Sequence, residues 1–583
     1  MESCQLIVEG KKVVGTRGFI KRDIVNIVIP PGVESVGTRA FHRCEYLTSL
    51  TLPETVTEIE DSAFMYCSGL SSIAFSFGLT TIGPGAFEKC TGLTSLVLPQ
   101  SLTNIGPSAF AGCLRLTYLA LPNSLAKIDR FAFRDCFGLT TLALPELLIE
   151  IGNNAFTGCR FLTSLTLPNS LTKIGWSAFS DCRGLTSLTL PCALTTIEVK
   201  TFYECPGLTS VTMPPSLTAI KPKAFAGCSG LTSVILPEGL HSIQSNAFMG
   251  CNSLASITLP QSMTAIEPQA FAGCLGLASV TLPPSLTAIK KEAFCGCSGL
   301  KSITLPEGLS SIEYNTFFHC QSLTSLTLPQ SLTEIGSSAF EDCSGLSSLT
   351  LPDSISKIAS RAFHKCSGIT SLALPQSLTT MGSFAFCRCT GLTSLALPEK
   401  VTRIGSKAFF QCGSLTSLSL PSALTDVQAS AFAFCTHLTS LTFPNTLKTI
   451  GGLAFCNCSS LVSLALPESL ISIGFQAFSQ CSRLRSLSLP AGLKILGKHA
   501  FSNCVKLTSV VFRPRVPIAF IVWSVGSSRN RDNWSITTLK QSRNLLRLIV
   551  AFSVERSSQV ISVDSRGRCR RVFAGCKKLV LKR

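Results

Sequence analysis

The sequence predicts a β-rich solenoid of about 21 coils, with parallel strands on one side and short helical or 3₁₀ turns opposite. Three observations predict it. Cysteine recurs at 44, 67, 90, 113 and onward to 504, making 21 positions at an unbroken spacing of 23 residues. Phenylalanine stands three residues before each of them, from Phe41 to Phe501. Proline follows nine residues after each, from Pro53 to Pro490, with Ser76 the one break in that run. A unit this short cannot bury its own apolar face, so neighbouring units must stack into a continuous core.

The chain begins with a segment, residues 1–30, that reads as an N-terminal cap. "VVGTRGF" (13–19) echoes "SVGTRAF" (35–41), and "DIVNIVIP" (23–30) echoes "EYLTSLTLP" (45–53), but Lys21 stands in the cysteine's place. An end unit drops a core group because one of its sides faces solvent. Residues 31–512 form the solenoid, with consensus LTSLTLPxSLTxIGxxAFxxCxG. "LTSLTL" alternates apolar and polar, the period of a strand with one buried face. Proline ends that strand because it has no N–H for a continuing ladder. The "xIG" run buries its aliphatic residue and turns on glycine, and "AFxxC" places Phe and Cys on one face of a helical or 3₁₀ turn.

Residues 513–583 leave the register. They hold 16 Lys and Arg against 3 Asp and Glu, so most of the chain's net charge of +18 sits there. Residues 532–552 read as a helix with an apolar stripe and, on another face, Lys540, Arg543 and Arg547. Arg568, Arg570 and Arg571 follow, and "VFAGCKKLVL" (572–581) returns to the repeat's grammar as a degenerate capping unit.

The pattern LPxSLTxIGxxAFxxCxGLTSL resembles the BspA-like leucine-rich repeat (the TpLRR class) in a 23-residue form, over about residues 31–512. The resemblance implies an α/β leucine-rich-repeat solenoid with its parallel sheet on the concave side. It also implies binding roles in adhesion or host contact at cell surfaces. The residues themselves point elsewhere for location. No run approaches about 18 apolar residues, and the N-terminus has no basic stretch followed by an apolar one. These features predict a cytoplasmic, reducing setting, where cysteines are packed thiols more often than disulfides.

The composition fits a folded chain, with 45% hydrophobic and 14% charged residues and a mean hydropathy of +0.39. Catalytic and metal chemistry find no support in it. Zinc needs closely spaced ligand pairs or converging histidines, whereas a ladder of single thiols offers one ligand per coil. Parallel side-chain vectors are also poor for disulfides. Of the cysteines outside the ladder, Cys295, Cys387 and Cys456 make C-x-C pairs and read as incidental exposed thiols, while Cys192 reads as exposed just after Pro191. No nucleotide-binding glycine pattern and no nucleophile motif occurs. The expectation is a non-enzymatic chain without cofactor or small-molecule substrate.

For a binding protein the exposed faces matter. The outward strand positions lie five and seven residues after each cysteine and are mostly Ser and Thr, with Tyr118 the aromatic exception. Hot spots favour Trp, Tyr and Arg, so variation in the turns draws attention: "GTRAFHRC", "DRFAFRDC" and "EYNTFFHC". The candidate partner-binding residues are Tyr118, Arg39, His42, Arg43, Arg130, Arg134, Tyr314 and His319. The expected function is a scaffold for a protein partner or for adhesion. The alternative is nucleic-acid or anionic-membrane binding through the basic segment.

Overall fold

The computed structural model describes residues 5–17, 24–512 and 580–582. Five residues after each ladder cysteine a short strand begins, of three residues in Ser49–Thr51, Ser72–Ala74 and Ser95–Val97 and of four in the last two, Ser486–Leu489 and Ser509–Phe512. Its middle residue points inward and its outer two face solvent, as in Ser49–Thr51, because successive side chains of a strand alternate faces. Pairing is parallel at an offset of one repeat. Ser49 lies opposite Ser72, Leu50 opposite Ile73 and Thr51 opposite Ala74. Equal coil length therefore places like residue on like residue.

The "xIG" run is more than a buried aliphatic residue and a turn. Its two residues make a second parallel ladder, with Ser35–Val36 beside Glu58–Ile59 and that beside Thr81–Ile82. The glycine after it keeps an ordinary negative φ and is needed for space instead. A Cβ on Gly405 would stand 2.4 Å from the backbone carbon of Gly382.

The "AFxxC" segment is not the helical or 3₁₀ turn expected from its spacing; no helix occurs among the described residues. The N–H groups of Ala40, His42 and Cys44 bond three residues back within their own coil. Those of Arg39, Phe41 and Arg43 bond across to Asp61, Ala63 and Met65 of the next coil. Arg39 and Arg43 have φ of 54° and 64°, and left-handed residues at every fourth place stop a helix from propagating. The same two places are left-handed in coil after coil, at Lys89, Asp135, Lys223 and Gln480 for example.

Phe and Cys fill the core as the sequence implies. Every ladder Phe and Cys is fully buried. Successive rings stack, from 5.1 Å between Phe41 and Phe64 to 5.8 Å between Phe179 and Phe202, inside the favourable range for offset aromatic pairs. From the second coil on, ladder thiols also donate to the carbonyl of the Phe one coil back, as Cys67 Sγ does to Phe41 O at 3.1 Å and Cys504 to Phe478 at 3.3 Å.

Recurring hydroxyls make similar inter-coil bonds. Thr209 Oγ1 donates to Thr186 O at 2.9 Å, Thr80 to Thr57 at 3.1 Å, and Ser101 Oγ to Leu79 O at 2.7 Å. Ser76 takes the proline's inward slot, is fully buried, and donates to Val56 O, which offsets the cost of burying a hydroxyl.

The chain divides into two compact units, Met1–Leu286 with Ala293–Gly299, and Thr287–Glu292 with Leu300–Arg583. The first opens with an antiparallel hairpin, β1 (Gln5–Glu9) and β2 (Lys12–Arg17). β2 then joins the second ladder in parallel, with Val13 opposite Val36, and Asn26–Val28 pairs with Ser49–Thr51 in the first. In the second unit, Val580–Lys582 pairs in parallel with Ser509–Phe512. The helix expected over 532–552 and the basic residues Lys540, Arg543, Arg547, Arg568, Arg570 and Arg571 lie outside the described residues. Among the described residues no helix is long and apolar enough to cross a membrane.

Candidate interaction surface

Two outward surfaces follow from this coil. The strand face is built from Ser, Thr and Ala at its exposed positions. Tyr118 stands on it 56% exposed, paired in register with Ser95. Val28, Val97 and Ile235 are further single exposed apolar residues there. They carry no charge, so the face has few groups that could fix an orientation.

The turn edge is chemically richer. His42 packs edge-on against Tyr66 at 5.8 Å, and the Arg43 guanidinium lies 5.3 Å from the same ring. From the other side Lys89 comes within 4.9 Å of it and donates to the Tyr66 hydroxyl at 3.2 Å. Arg39 holds a left-handed place in the same coil as His42 and Arg43. His42 and Arg43 of the first coil thus meet a tyrosine from the second. Alignment of the repeats in columns of 23 would have revealed this, since Arg43, Tyr66 and Lys89 share one column.

Arg134 lies 5.7 Å from the Phe131 ring and 3.3 Å from the Asp135 carboxylate. Arg130 lines a shallow groove of about 330 Å³ with Phe131, Asp61, Ser62 and Glu88. Burial raises the Glu88 carboxyl, against the opposing pull of Lys89 and Arg134. In the second unit Tyr314 is 50% exposed. His319 is no free ligand, since its Nδ1 lies 2.5 Å from Asp342 Oδ2. The structure thus brings His42 and Arg43 together at Tyr66, keeps Arg39 in their coil, sets Arg130 and Arg134 in one coil, and leaves Tyr118 on the strand face.

The thiols differ from expectation at two places. Cys192 is exposed and Cys295 half-buried, but Cys387 and Cys456 are buried, only 3% and 6% exposed. Their slot, two before the ladder cysteine, points partly inward, and Ala226 and Ala433 are buried in the same slot. Glu341, His364 and Cys387 occupy that slot in three successive coils, and His364 Nδ1 lies 2.9 Å from Glu341 Oε1. Burial pushes the Cys387 thiol up to about 11, opposite to what an activated nucleophile requires. Among the described residues no three His, Cys, Asp or Glu are grouped to hold a metal ion.

Solved structures resembling this chain are repeat proteins. A leucine-rich repeat protein from Bacteroides ovatus is 23% identical over 88% of this chain and 93% of its own, with a TM-score of 0.31. A leucine-rich cell surface protein from Faecalibacterium prausnitzii is 23% identical over 76% of this chain and 93% of its own, with a TM-score of 0.28. The T. pallidum leucine-rich repeat protein TpLRR is 25% identical over 40% of this chain and 88% of its own, with a TM-score of 0.22. No curated protein matches significantly. The family model described as "BspA type Leucine rich repeat region (6 copies)" matches residues 12–139, 103–232, 218–346, 310–439 and 402–518. Those matches overlap along nearly the whole solenoid, and the chain belongs to the BspA-type leucine-rich repeat family.

Proposed function

We propose that the protein is a non-enzymatic scaffold for protein–protein interaction or adhesion. One observation carries this reading. The inward positions barely vary, while the turn edge changes from coil to coil and exposes aromatics and cations. Trp176, Tyr314 and, on the strand face, Tyr118 are each about half exposed. Exposed aromatics beside arginine are the usual anchors of a protein interface. The chemistry of the coils supports the same reading, because the thiol nearest a histidine–carboxylate pair is buried and protonated.

The test is affinity capture with mass spectrometry from the native cell, comparing the natural protein with a Tyr118→Ala/Tyr314→Ala variant and an Arg39→Ala/His42→Ala/Arg43→Ala variant. A partner retained equally by all three would sink the edge as the binding element.

A second reading rests on residues 513–583, whose 16 basic and 3 acidic residues suit an acidic surface such as nucleic acid or an anionic membrane. It requires binding that falls steeply with salt and disappears when Lys540, Arg543, Arg547, Arg568, Arg570 and Arg571 are neutralised. We further propose that residues 1–30 and 513–583 cap the two ends of the ladder. Removal of either should then lower solubility and melting temperature.

A further inference from the structure

The second unit carries a patch of positive charge on its turn edge whose own turns hold no acid. Seven successive turn segments, 359–366, 382–389, 405–412, 428–435, 451–458, 474–481 and 497–504, contain no Asp or Glu. The first three hold Arg361, Lys365, Arg388 and Lys407. Among the described residues none of these four forms an ion pair. The acids of the preceding coil are engaged by histidines, Glu341 by His364 at 2.9 Å and Asp342 by His319 at 2.5 Å.

Two of the cations are held in place. The Arg361 guanidinium lies 5.4 Å and the Lys407 ammonium 5.2 Å from the centre of the Phe384 ring. Arg361 comes from the coil before Phe384 and Lys407 from the coil after, so the ring is clamped from both sides. Arg388 is steadied separately, donating from Nε to Gln411 Oε1 at 2.7 Å. A cation already fixed against a ring loses less freedom on binding an anion.

We propose that the turn edge over residues 359–411 docks a carboxylate-rich peptide segment of a partner protein. This deepens the scaffold reading and rests on it. Lys365 and Arg388 share one position in adjacent coils, about 4.8 Å apart at the strand spacing, and Arg361 and Lys407 are two coils apart, about 10 Å. Carboxylates on alternate residues of an extended peptide recur at about 7 Å, within reach of these long side chains. Arginine can take a carboxylate through two parallel N–H bonds. Single-stranded nucleic acid fits less well, because base stacking needs an open aromatic face and the Phe384 ring already carries two cations. Beneath the patch Cys387 senses its potential: burial raises the thiol, while Arg388, Lys407 and Arg361 pull it down against a smaller push from Glu341.

The first unit supplies an internal control. Lys127 and Lys173, one coil to either side of Glu150, both pair with its carboxylate, at 3.8 and 3.0 Å.

The experiment uses the full chain and a fluorescein-labelled ten-residue peptide of alternating Glu and Ser, read by anisotropy at low salt. Arg361→Glu/Arg388→Glu should bind it at least about tenfold more weakly, and Lys127→Glu/Lys173→Glu, at cations already paired with Glu150, no more than about twofold. Both variants change charge equally and both keep the basic C-terminal segment, so its contribution cancels in the comparison. Arg361→Gln/Arg388→Gln serves if the reversal lowers the melting temperature. No binding, or equal weakening by the two reversals, overturns the proposal. So does an oligothymidylate that binds more tightly than the peptide and is lost in the same variant. If the peptide result fails while partner capture still depends on Tyr118 and Tyr314, this surface falls and the scaffold reading stands.

Discussion

Phe248 is the most informative place to damage the core. It is fully buried and stacked between Phe225 at 5.4 Å and Phe271 at 5.7 Å, with interplanar angles of 6° and 2°. Truncating a buried Phe to Ala costs about 3–5 kcal/mol. The upper part of that range applies here, since two ring–ring contacts of about 0.5–1.5 kcal/mol each are lost. The cavity cannot close easily, because the coil is held at strand spacing on both ladders. Ser242–Ile243 is paired to Ala219–Ile220, and Ser256–Thr258 to Ser279–Thr281.

Because coils couple chiefly to their neighbours, the loss should be local. Hydrogen exchange read coil by coil should show Phe248→Ala losing protection around residues 225–271 first, with the effect fading outward. Phe77, 81% exposed, is the control, and Phe77→Ala should stay within about 0.5 kcal/mol of the natural protein. A cost below about 1.5 kcal/mol for Phe248→Ala, or protection lost equally in every coil, would refute the stacked-ladder account.

Other expectations test the remaining ladders. Burial raises Cys274, Cys435 and Cys481 to about 12 from an ordinary value of 9.0. The unfolded chain therefore releases these protons first, and stability should hold below about pH 8 and fall as pH rises from 9 towards 12, by about 1.4 kcal/mol per thiol per pH unit. Urea midpoints across that range check it, and a flat profile would contradict buried, protonated thiols. Iodoacetamide on the native protein should label Cys192 first and Cys295 more slowly; mass spectrometry finding labelled ladder positions such as Cys228 would count against the packing role. Ser76→Ala leaves the Val56 carbonyl without its side-chain donor and should cost about 1–3 kcal/mol, read as a lowered melting temperature. Gly405→Ala drives a Cβ into the Gly382 backbone and should destabilise by about 2 kcal/mol or more, whereas Gly413→Ala, whose Cβ would meet Thr436 Oγ1 at an ordinary 3.6 Å, should be nearly silent.

The sequence made the period, the inward Phe and Cys, and the first strand legible because each is a side-chain choice repeated 21 times. It concealed three features for separate physical reasons. The second ladder is two residues long in each coil, too short for alternation to register. The left-handed positions hold Arg, Lys, Asp and Gln more often than Gly, since their strain is met by bonds to the next coil and not by residue choice. Arg39 donating to Asp61 O at 2.9 Å is one such bond. The recurring Thr and Ser looked like polar alternation, and only the stack shows that Thr209 and Ser101 serve the preceding coil. For the candidate site, Arg43 and His42 were visible as variable residues, but their partner Tyr66 is a full repeat away. Cys387 looked exposed because its slot also holds Arg134, a long side chain that reaches outward from a partly inward-facing position.

The thiol ladder shows how function must be sought in such a molecule. A slot beside stacked rings calls for a small, nearly apolar group that can still donate weakly to a carbonyl. Cysteine meets this description, since its S–H is cheap to bury; serine's hydroxyl costs more to desolvate and alanine leaves the second lone pair of the Phe carbonyl unused. Twenty-one cysteines therefore express one packing solution repeated, and their number carries no redox meaning. By the same logic, a site cannot lie where every coil obeys the pattern, because a ligand would find as many equivalent places as there are coils. It must lie where the chain departs from its own rule. Tyr118 in a column of serines is one departure. The acid-free turns that bring Arg361 and Lys407 to the Phe384 ring are another, and they involve three coils acting together, which a chance substitution on one coil does not.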